Sequence, residues 1–355
     1  MAYTTIDNPE LYFQVVTWTG NATDDRTITL PGDTDMQPDL VWAKERSSTS
    51  GHIIVDAVRG ATNFIQSHNT TAEDTNADIM QSFETDGFEI GTHGAINEDT
   101  ETYVAWCWKA GTAFSNDASA TSIGSIDSSG SVSTDAGFSI CSYTGNGIAG
   151  ATIKHGLSTV PEMIIVKGRT ANPDNWRSYH KSLTDPTEDY LKLNTSDAET
   201  DGAATTWNST GPTSSVFSVA TDNSNNADTK TYIAYCFDSV QGYSKFGSYT
   251  GNGNADGTFV YTGFRPAMLI TKRTDSASDW RIWDNKRDTF NLVDEILYPS
   301  ASNGAGTETF GDFLSNGFKI RTSGVDYNGS GNSYIYMAFA EAPFVNSNGV
   351  PCNAR

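Results

Sequence analysis

The chain is short of nearly every residue type that carries catalysis or holds a metal. Histidine occurs five times in 355 residues, at His52, His68, His93, His155 and His180. No two stand at zinc-ligand spacing, and no H-E-x-x-H is present. The four cysteines, Cys107, Cys141, Cys236 and Cys352, form no C-x-x-C pair, which removes the zinc-ribbon and redox-motif readings. A Gly-x-Ser-x-Gly elbow, a P-loop and a dinucleotide fingerprint are all missing. Cationic side chains are few: 22 Lys and Arg against 43 Asp and Glu leave a net charge of −21. That sign excludes a basic nucleic-acid footprint and electrostatic docking on an anionic bilayer. No run approaches the roughly 20 apolar residues of a membrane-spanning helix. The first residues, Met1 to Asn8, have neither the basic nor the apolar region of a signal peptide. The expectation is therefore synthesis in a reducing cytoplasm, with cysteines acting as small buried hydrophobes. The sequons at Asn21, Asn69, Asn194, Asn208 and Asn328 are then a by-product of an Asn-, Ser- and Thr-rich composition.

Three copies of one pattern fill the space. Tyr143-Thr-Gly-Asn-Gly147 recurs as Tyr249-Thr-Gly-Asn-Gly253, and a shortened form stands at Trp18-Thr-Gly-Asn21. A Pro-led apolar run ending in Lys follows each, at Pro38–Lys44, Pro161–Lys167 and Pro266–Lys272. Each copy closes on an aromatic strand: Tyr103–Trp108, Tyr232–Phe237 and Tyr334–Phe339. The interval of somewhat over a hundred residues is too long for a solenoid or propeller unit and long enough for a domain with its own core. Alternation at Phe138–Tyr143, turn residues at short intervals, and the Asp86-Gly87 and Asn316-Gly317 hairpin signals argue for short strands. The fold class expected is all-β, three tandem β-sandwiches of jelly-roll or lectin-like type.

The boundaries read as an N-terminal arm over 1–12, repeat one over 13–110, and a Ser/Gly-rich linker, flexible or loosely pinned, over 111–137. Repeat two follows over 138–241, repeat three over 242–344, and a C-terminal tail over 345–355. Repeat one should have more freedom than the other two, which are joined directly. On the closing strand, Trp106, Tyr235 and Tyr336 are expected to share a buried face with Trp108, Phe237 and Phe339, and with Val104, Ile233 and Ile335. The arm and the tail lie outside the repeats and are candidates for holding neighbouring subunits.

Exposed chemistry is hard to find in the pattern. Trp176 and Trp280, with Tyr179 and Trp283 three places on, suit a sugar-stacking platform, but residues three apart on a strand face opposite sides, which favours the core. Arg177 and Arg281 beside them suit a cation–π shelf or a solvated strand edge equally. Lys44, Lys167 and Lys272, with Arg46, Arg169 and Arg273 close behind, are expected to pair internally with carboxylates. The clusters Glu73–Asp78 and Asp222–Asp228 offer Ca2+-type oxygen ligands but lack the glycine and closing glutamate of an EF-hand loop. No catalytic residue, metal ligand or cofactor is assigned, and the ligand-binding residues are left unknown.

These blocks resemble a tandem-repeat virion structural protein family of marine tailed bacteriophages. The likeness rests on Tyr-Thr-Gly-Asn-Gly, the Pro-x-Met-Ile-Ile-Val-Lys-x-Arg run from Pro161, Asn175-Trp-x-x-Tyr-His180 and Thr231-Tyr-Ile-Ala-Tyr-Cys-Phe237. It also rests on Gly242–Gly253, Tyr261–Pro266 and the opening Tyr3–Asn8. The resemblance implies a non-enzymatic protein of the virion surface, assembled in the host cytoplasm, and it supplies no catalytic residues. The first expectation is a tail-fibre-like adhesin contacting the host surface. The alternative is a capsid or tail decoration or cement protein, its three domains matched to a local symmetry. Expected partners are other virion proteins of capsid or tail, with a host surface glycan and a homo-oligomer left open. No nucleic acid, membrane insertion or cofactor is expected.

Overall fold

A computed structural model describes residues 3–170 and 174–352. It is an all-β structure of three sandwiches. The α-helices among the described residues are single turns, at Gly94–Asn97, Ala118–Thr121, Asn223–Asn226 and Val325–Asn328. Each unit builds an inner sheet from four strands in the same order: opening, closing, central, rim. The opening strands are Phe13–Thr19, Phe138–Thr144 and Ser244–Thr250; the closing strands are Thr102–Trp108, Thr231–Phe237 and Ser333–Pro343. The central strands are Leu40–Glu45, Met163–Gly168 and Phe264–Arg273; the rim strands are Ile53–Asp56, Arg177–His180 and Arg281–Asp284. All of these pairings are antiparallel. A shorter outer sheet lies over one face of each, including Arg26–Thr29 in unit one, Ala151–Lys154 in unit two and Phe259–Tyr261 in unit three. The expected tight hairpins form, with Glu84 opposite Gly87 and Leu314 opposite Gly317.

The closing strand explains how three such units become one body. In unit one, Tyr103, Ala105 and Cys107 point into the sandwich core, as do Tyr232, Ala234 and Cys236 in unit two. The alternate residues, Val104, Trp106 and Trp108, or Ile233, Tyr235 and Phe237, point the other way into a fourth core shared by all three units. A strand that is apolar on both faces needs a cover on each. One cover is the unit's own outer sheet, and the other is the inner sheets of its neighbours. Trp108, Phe237 and Phe339 meet one another at the centre, with ring centroids 6.5, 5.5 and 6.0 Å apart. The units are therefore not three self-sufficient beads.

The structure differs from expectation at the closing strand of unit three, in the segment 111–137 and in the freedom of unit one. In unit three the shared face is Ile335, Met337 and Phe339, whereas Tyr336 lies in the sandwich core. Side chains two apart share a face, so Met337 and not Tyr336 occupies the place of Trp106 and Tyr235. The segment 111–137 is not a flexible linker. Thr112–Asn116 and Ser128–Ser133 are paired strands, and the second is laddered onto the opening strand of unit two. Its serines and glycines bury little apolar area, but the ladder satisfies their backbone, and Ile126 and Val132 join the core of unit two. Unit one is accordingly held rather than loosely tethered. The arm is also engaged with its own chain: Thr4 Oγ1 donates to the Gln241 carbonyl, Ile6 is buried in the shared core, and Asp7 accepts from the Ser347 amide.

Candidate functional site

The most repeated motif turns out to be structural. In each unit a buried Asn ends the one-turn helix: Asn97, Asn226 or Asn328. Its side-chain oxygen accepts from the amide of Asn21, Asn146 or Asn252, and its backbone carbonyl accepts from that of Ala22, Gly147 or Gly253. Its side-chain amide donates to two further carbonyls, as Asn226 does to Ile148 and Ala220. The first Gly of each turn sits against backbone; a Cβ on Gly145 would lie 2.4 Å from the Ala227 oxygen. The residue two places on is left-handed, with φ of 66° at Gly147, 68° at Gly253 and 52° at Ala22. The aromatic residue before the turn, Trp18, Tyr143 or Tyr249, donates to the helix and stacks on Tyr103, Tyr232 or Tyr334. The hydrogen-bonding groups named here are thus engaged in holding the turn to the helix.

The second set of repeated residues forms the seams. The ring N–H groups of His52, Trp176 and Trp280 donate to backbone carbonyls of the neighbouring unit, at Tyr298, Gln66 and Lys192. That is one contact made three times around a cycle. The end of each rim strand meets the closing strand of a neighbour in the same cyclic way. Asp56 accepts from Tyr235 OH at 2.7 Å, and Asp284 accepts from Trp106 Nε1 at 3.1 Å. Arg59 and Arg287, three residues on, pair with these aspartates, with all four side chains fully buried. At the third seam His180 stands for the aspartate, Leu183 for the arginine and Met337 for the donor. Charge and donor have gone together, which is what burial of an ion pair requires.

Trp176, Tyr179, Trp280 and Trp283 are all buried, split between the shared core and the sandwich cores. Arg177 lies over Tyr190 and Arg281 over Tyr327, so the cation–π partners are tyrosines. Lys44, Lys167 and Lys272 pair with carbonyls rather than with carboxylates; Lys167 donates to Thr70 and Asp174. Burial pushes each of the three down to about 8. Arg46 and Arg169 do find carboxylates, and they do so across seams, at Glu295 and Glu73. Within the two acidic clusters, Glu73 is held by Arg59 and Arg169, and Asp222 caps a helix and binds Arg177. No group of three or more His, Cys, Asp or Glu side chains arranged to hold a metal occurs among the described residues.

Burial also holds His52, His155 and His180 neutral. His52 Nδ1 accepts from Trp42 Nε1 while Nε2–H donates to Tyr298. His155 and His180 repeat the arrangement, Nδ1 accepting from a nearby amide, and burial drives them down to about 4 and about 3. Glu199 moves the other way, pushed up to about 7 by burial and by its neighbour Asp189. This pair staples the short ladder of Asp189–Tyr190 with Thr200–Asp201 and lines none of the grooves described next.

Beside a groove of about 310 Å³ between Tyr12, Lys109 and Thr134, two further surface grooves are present among the described residues. One, of about 630 Å³, lies on unit two along Ser115–Asp117, Ser125–Ser129 and Ser142–Asn146. Its polar atoms are largely spent: Asn116 binds Ile123 and Thr121, Asp127 binds the Ala118 amide, and Ser128 binds Lys154. The other, of about 360 Å³, opens on unit three between Tyr3, Gln241, Lys245, Tyr261 and Phe344. Tyr3 and Tyr261 are 56 and 53 % exposed, and Phe259, on the same strand face as Tyr261, is 43 % exposed. The Lys245 ammonium stands 5.6 Å over the Tyr261 ring. This is an aromatic surface with free side chains, and it is the candidate functional site.

Fold and site together define a non-helical, three-sandwich protein with an internal pseudo-threefold arrangement and one aromatic open side. The family described as a domain of unknown function (DUF7483) matches residues 8–343, and the chain belongs to it. The matched stretch covers all three units at once, in keeping with a core that no unit completes alone. No curated protein and no solved structure matches the chain.

The seam aspartates, the buried Asn triplet and the open side of unit three escaped the sequence reading. The Asn triplet had a signal: in every unit it stands six residues before the closing-strand Tyr. Asp-x-x-Arg at Asp56 and Asp284 was a second signal. Tyr261 and Phe259 had none beyond the Thr27 and Thr29 that fill their places in unit one.

Proposed function

We propose that this is a non-enzymatic surface protein of a tailed-bacteriophage particle, a tail-fibre-like adhesin that contacts the host. The observation that carries the reading is the division of labour in the chain. Its repeated polar and aromatic residues are consumed by turns and seams, and one aromatic side is left free on unit three. A rigid body with one adhesive side acts by being held somewhere, and three similar sandwiches present related surfaces at fixed spacing. The pseudo-threefold arrangement favours a second reading, a decoration protein seated on a local threefold of capsid or tail. Purified labelled protein offered to host cells and to particles lacking it separates the two. Binding to cells in free solution supports the adhesin, and binding to particles alone supports decoration. Breakdown of host polysaccharide above a heat-inactivated control overturns the non-enzymatic reading.

A further inference from the structure

Unit two carries a segment that its neighbours lack. Ser128–Ser133 pairs with the free edge of the opening strand, Ser129 opposite Ser142 and Ser131 opposite Ile140. Just before it, the Ser125 and Ile126 amides donate to the Thr152 carbonyl at 2.8 and 3.1 Å, and Ser125 Oγ accepts from the Thr152 amide. Thr152 lies on the edge strand of the outer sheet. A stretch of nine residues, 125–133, thus seals both sheet edges on one side of the sandwich.

No strand covers the same two edges in unit three; on the opening strand the Ser244 amide donates to the Val240 carbonyl, the Phe246 amide to Ser239 Oγ, and the Thr250 carbonyl accepts from Thr258 Oγ1, which leaves Ser248 open. Ser248 is the counterpart of Ser142, one residue before the motif Tyr, and it is exposed. Its backbone N–H and C=O face away from the closing strand and have no partner among the described residues. Phe259 is the counterpart of Thr152, since Val260 and Ile153 face the equivalent Phe318 and Phe217. The backbone groups of Phe259 and Tyr261 that face outward likewise have no partner among the described residues. Unpaired edges are templates for another strand, and exposed aromatics beside them supply side-chain contacts. In unit one the equivalent outer-strand positions are Thr27 and Thr29, which offer no such contacts.

We propose that the open side of unit three accepts a short extended strand from a partner protein, which pairs at Ser248 and with the Phe259–Tyr261 edge, bridging the two sheets as residues 125–133 bridge them in unit two. The unit-two segment defines the chemistry of the guest: small hydroxyl residues, glycine and one valine along the ladder, with a further apolar side chain turned onto the outer sheet where Ile126 meets Ile153. The chain's own copy of such a segment is already paired, so the guest comes from a different protein.

The inference rests on reading this side as the attachment face, and its test is separate from the cell- and particle-binding test above. The probe is a synthetic peptide of residues 123–133, titrated against the full chain by fluorescence anisotropy, with amide exchange recorded on the complex. Saturable binding is expected, with protection appearing at the Ser248 and Thr250 amides. Ser248→Pro removes the free N–H without breaking an internal bond and should weaken binding at least tenfold; Thr17→Pro, on the unit-one edge, should leave it unchanged. Tyr261→Ser should weaken it several-fold. Absence of binding, or protection elsewhere with Ser248 still exchanging freely, overturns the inference whatever the stability of the proline variant. It is equally overturned if Tyr261→Ser abolishes capture of host polysaccharide while peptide binding is untouched, because the side is then a saccharide site.

Discussion

Replacing Asp56 with Ala separates what a buried charge contributes from what its removal costs. Asp56 Oδ2 lies 2.5 Å from Arg59 Nε and accepts the Tyr235 hydroxyl, and both charged side chains are fully buried. The substitution leaves Arg59 with Glu73 at 3.2 Å as its carboxylate and takes away the acceptor of the tyrosine hydroxyl, whose remaining contact is Arg59 Nη2 at 3.4 Å. Removing one partner of a buried pair costs about 3–5 kcal/mol, of which an orphaned hydroxyl accounts for roughly 1–3 kcal/mol. The seam between units two and three shows how the same position is filled without charge, by His180, Leu183 and Met337. The triple variant Asp56→His, Arg59→Leu, Tyr235→Met transplants that solution, with the new imidazole placed to donate to the Ala234 carbonyl as His180 does to Tyr336. It should recover at least half of the loss, because exchanging a buried ion pair for apolar packing is often close to neutral. Urea unfolding of wild type, single and triple variants gives the three free energies. Equal destabilisation of single and triple variants, or a single variant as stable as wild type, refutes the argument.

Phe237→Ala opens a cavity where three units meet and should cost about 3–5 kcal/mol; calorimetry of the wild type should show one cooperative transition, and three separate transitions would contradict a shared core. Ala22→Gly should stabilise the chain by about 0.5–1 kcal/mol because Ala22 is held at φ 52°; Gly147→Ala should destabilise it by a similar or larger amount, both read from urea midpoints. His155 and His180, at about 4 and about 3 when folded, titrate near 6.5 when unfolded. The unfolded chain therefore binds more protons below pH ~6.5, so stability falls with pH, by up to about 2 kcal/mol for each of the two between pH 7 and 5. Substituting His180 with Gln should flatten the profile measured by urea unfolding across that range.

Much of the architecture was legible because it is periodic. Three ordered motifs, alternation along Phe138–Tyr143 and the Asp-Gly and Asn-Gly hairpins each report on local backbone, and all reappear as expected. The shared core was written in the same residues but needed a second question. Trp106 and Cys107 are both buried, and a strand apolar on both faces says that two covers exist without naming the second. The segment 111–137 misled because its composition resembles a linker, whereas its order comes from an edge strand elsewhere in the chain. Composition carries no record of a non-local ladder. The candidate site was the least legible. Tyr261 and Phe259 read as ordinary strand residues, and only the absence of a covering segment exposes them.

Trp108, Phe237 and Phe339 meet where a trimer of identical chains would place one residue three times. In such a trimer every substitution near the axis arrives in triplicate, so a change that suits one interface is imposed on all. Linking the copies in a single polypeptide removes that constraint. One seam has exchanged aspartate, arginine and hydroxyl for histidine, leucine and methionine while another retains the ion pair, and one sandwich has gained a sealing strand that the others lack. The linkage also makes the assembly indifferent to dilution, since its three parts cannot diffuse apart. Each copy can then take on its own surface while the geometry at the axis stays fixed.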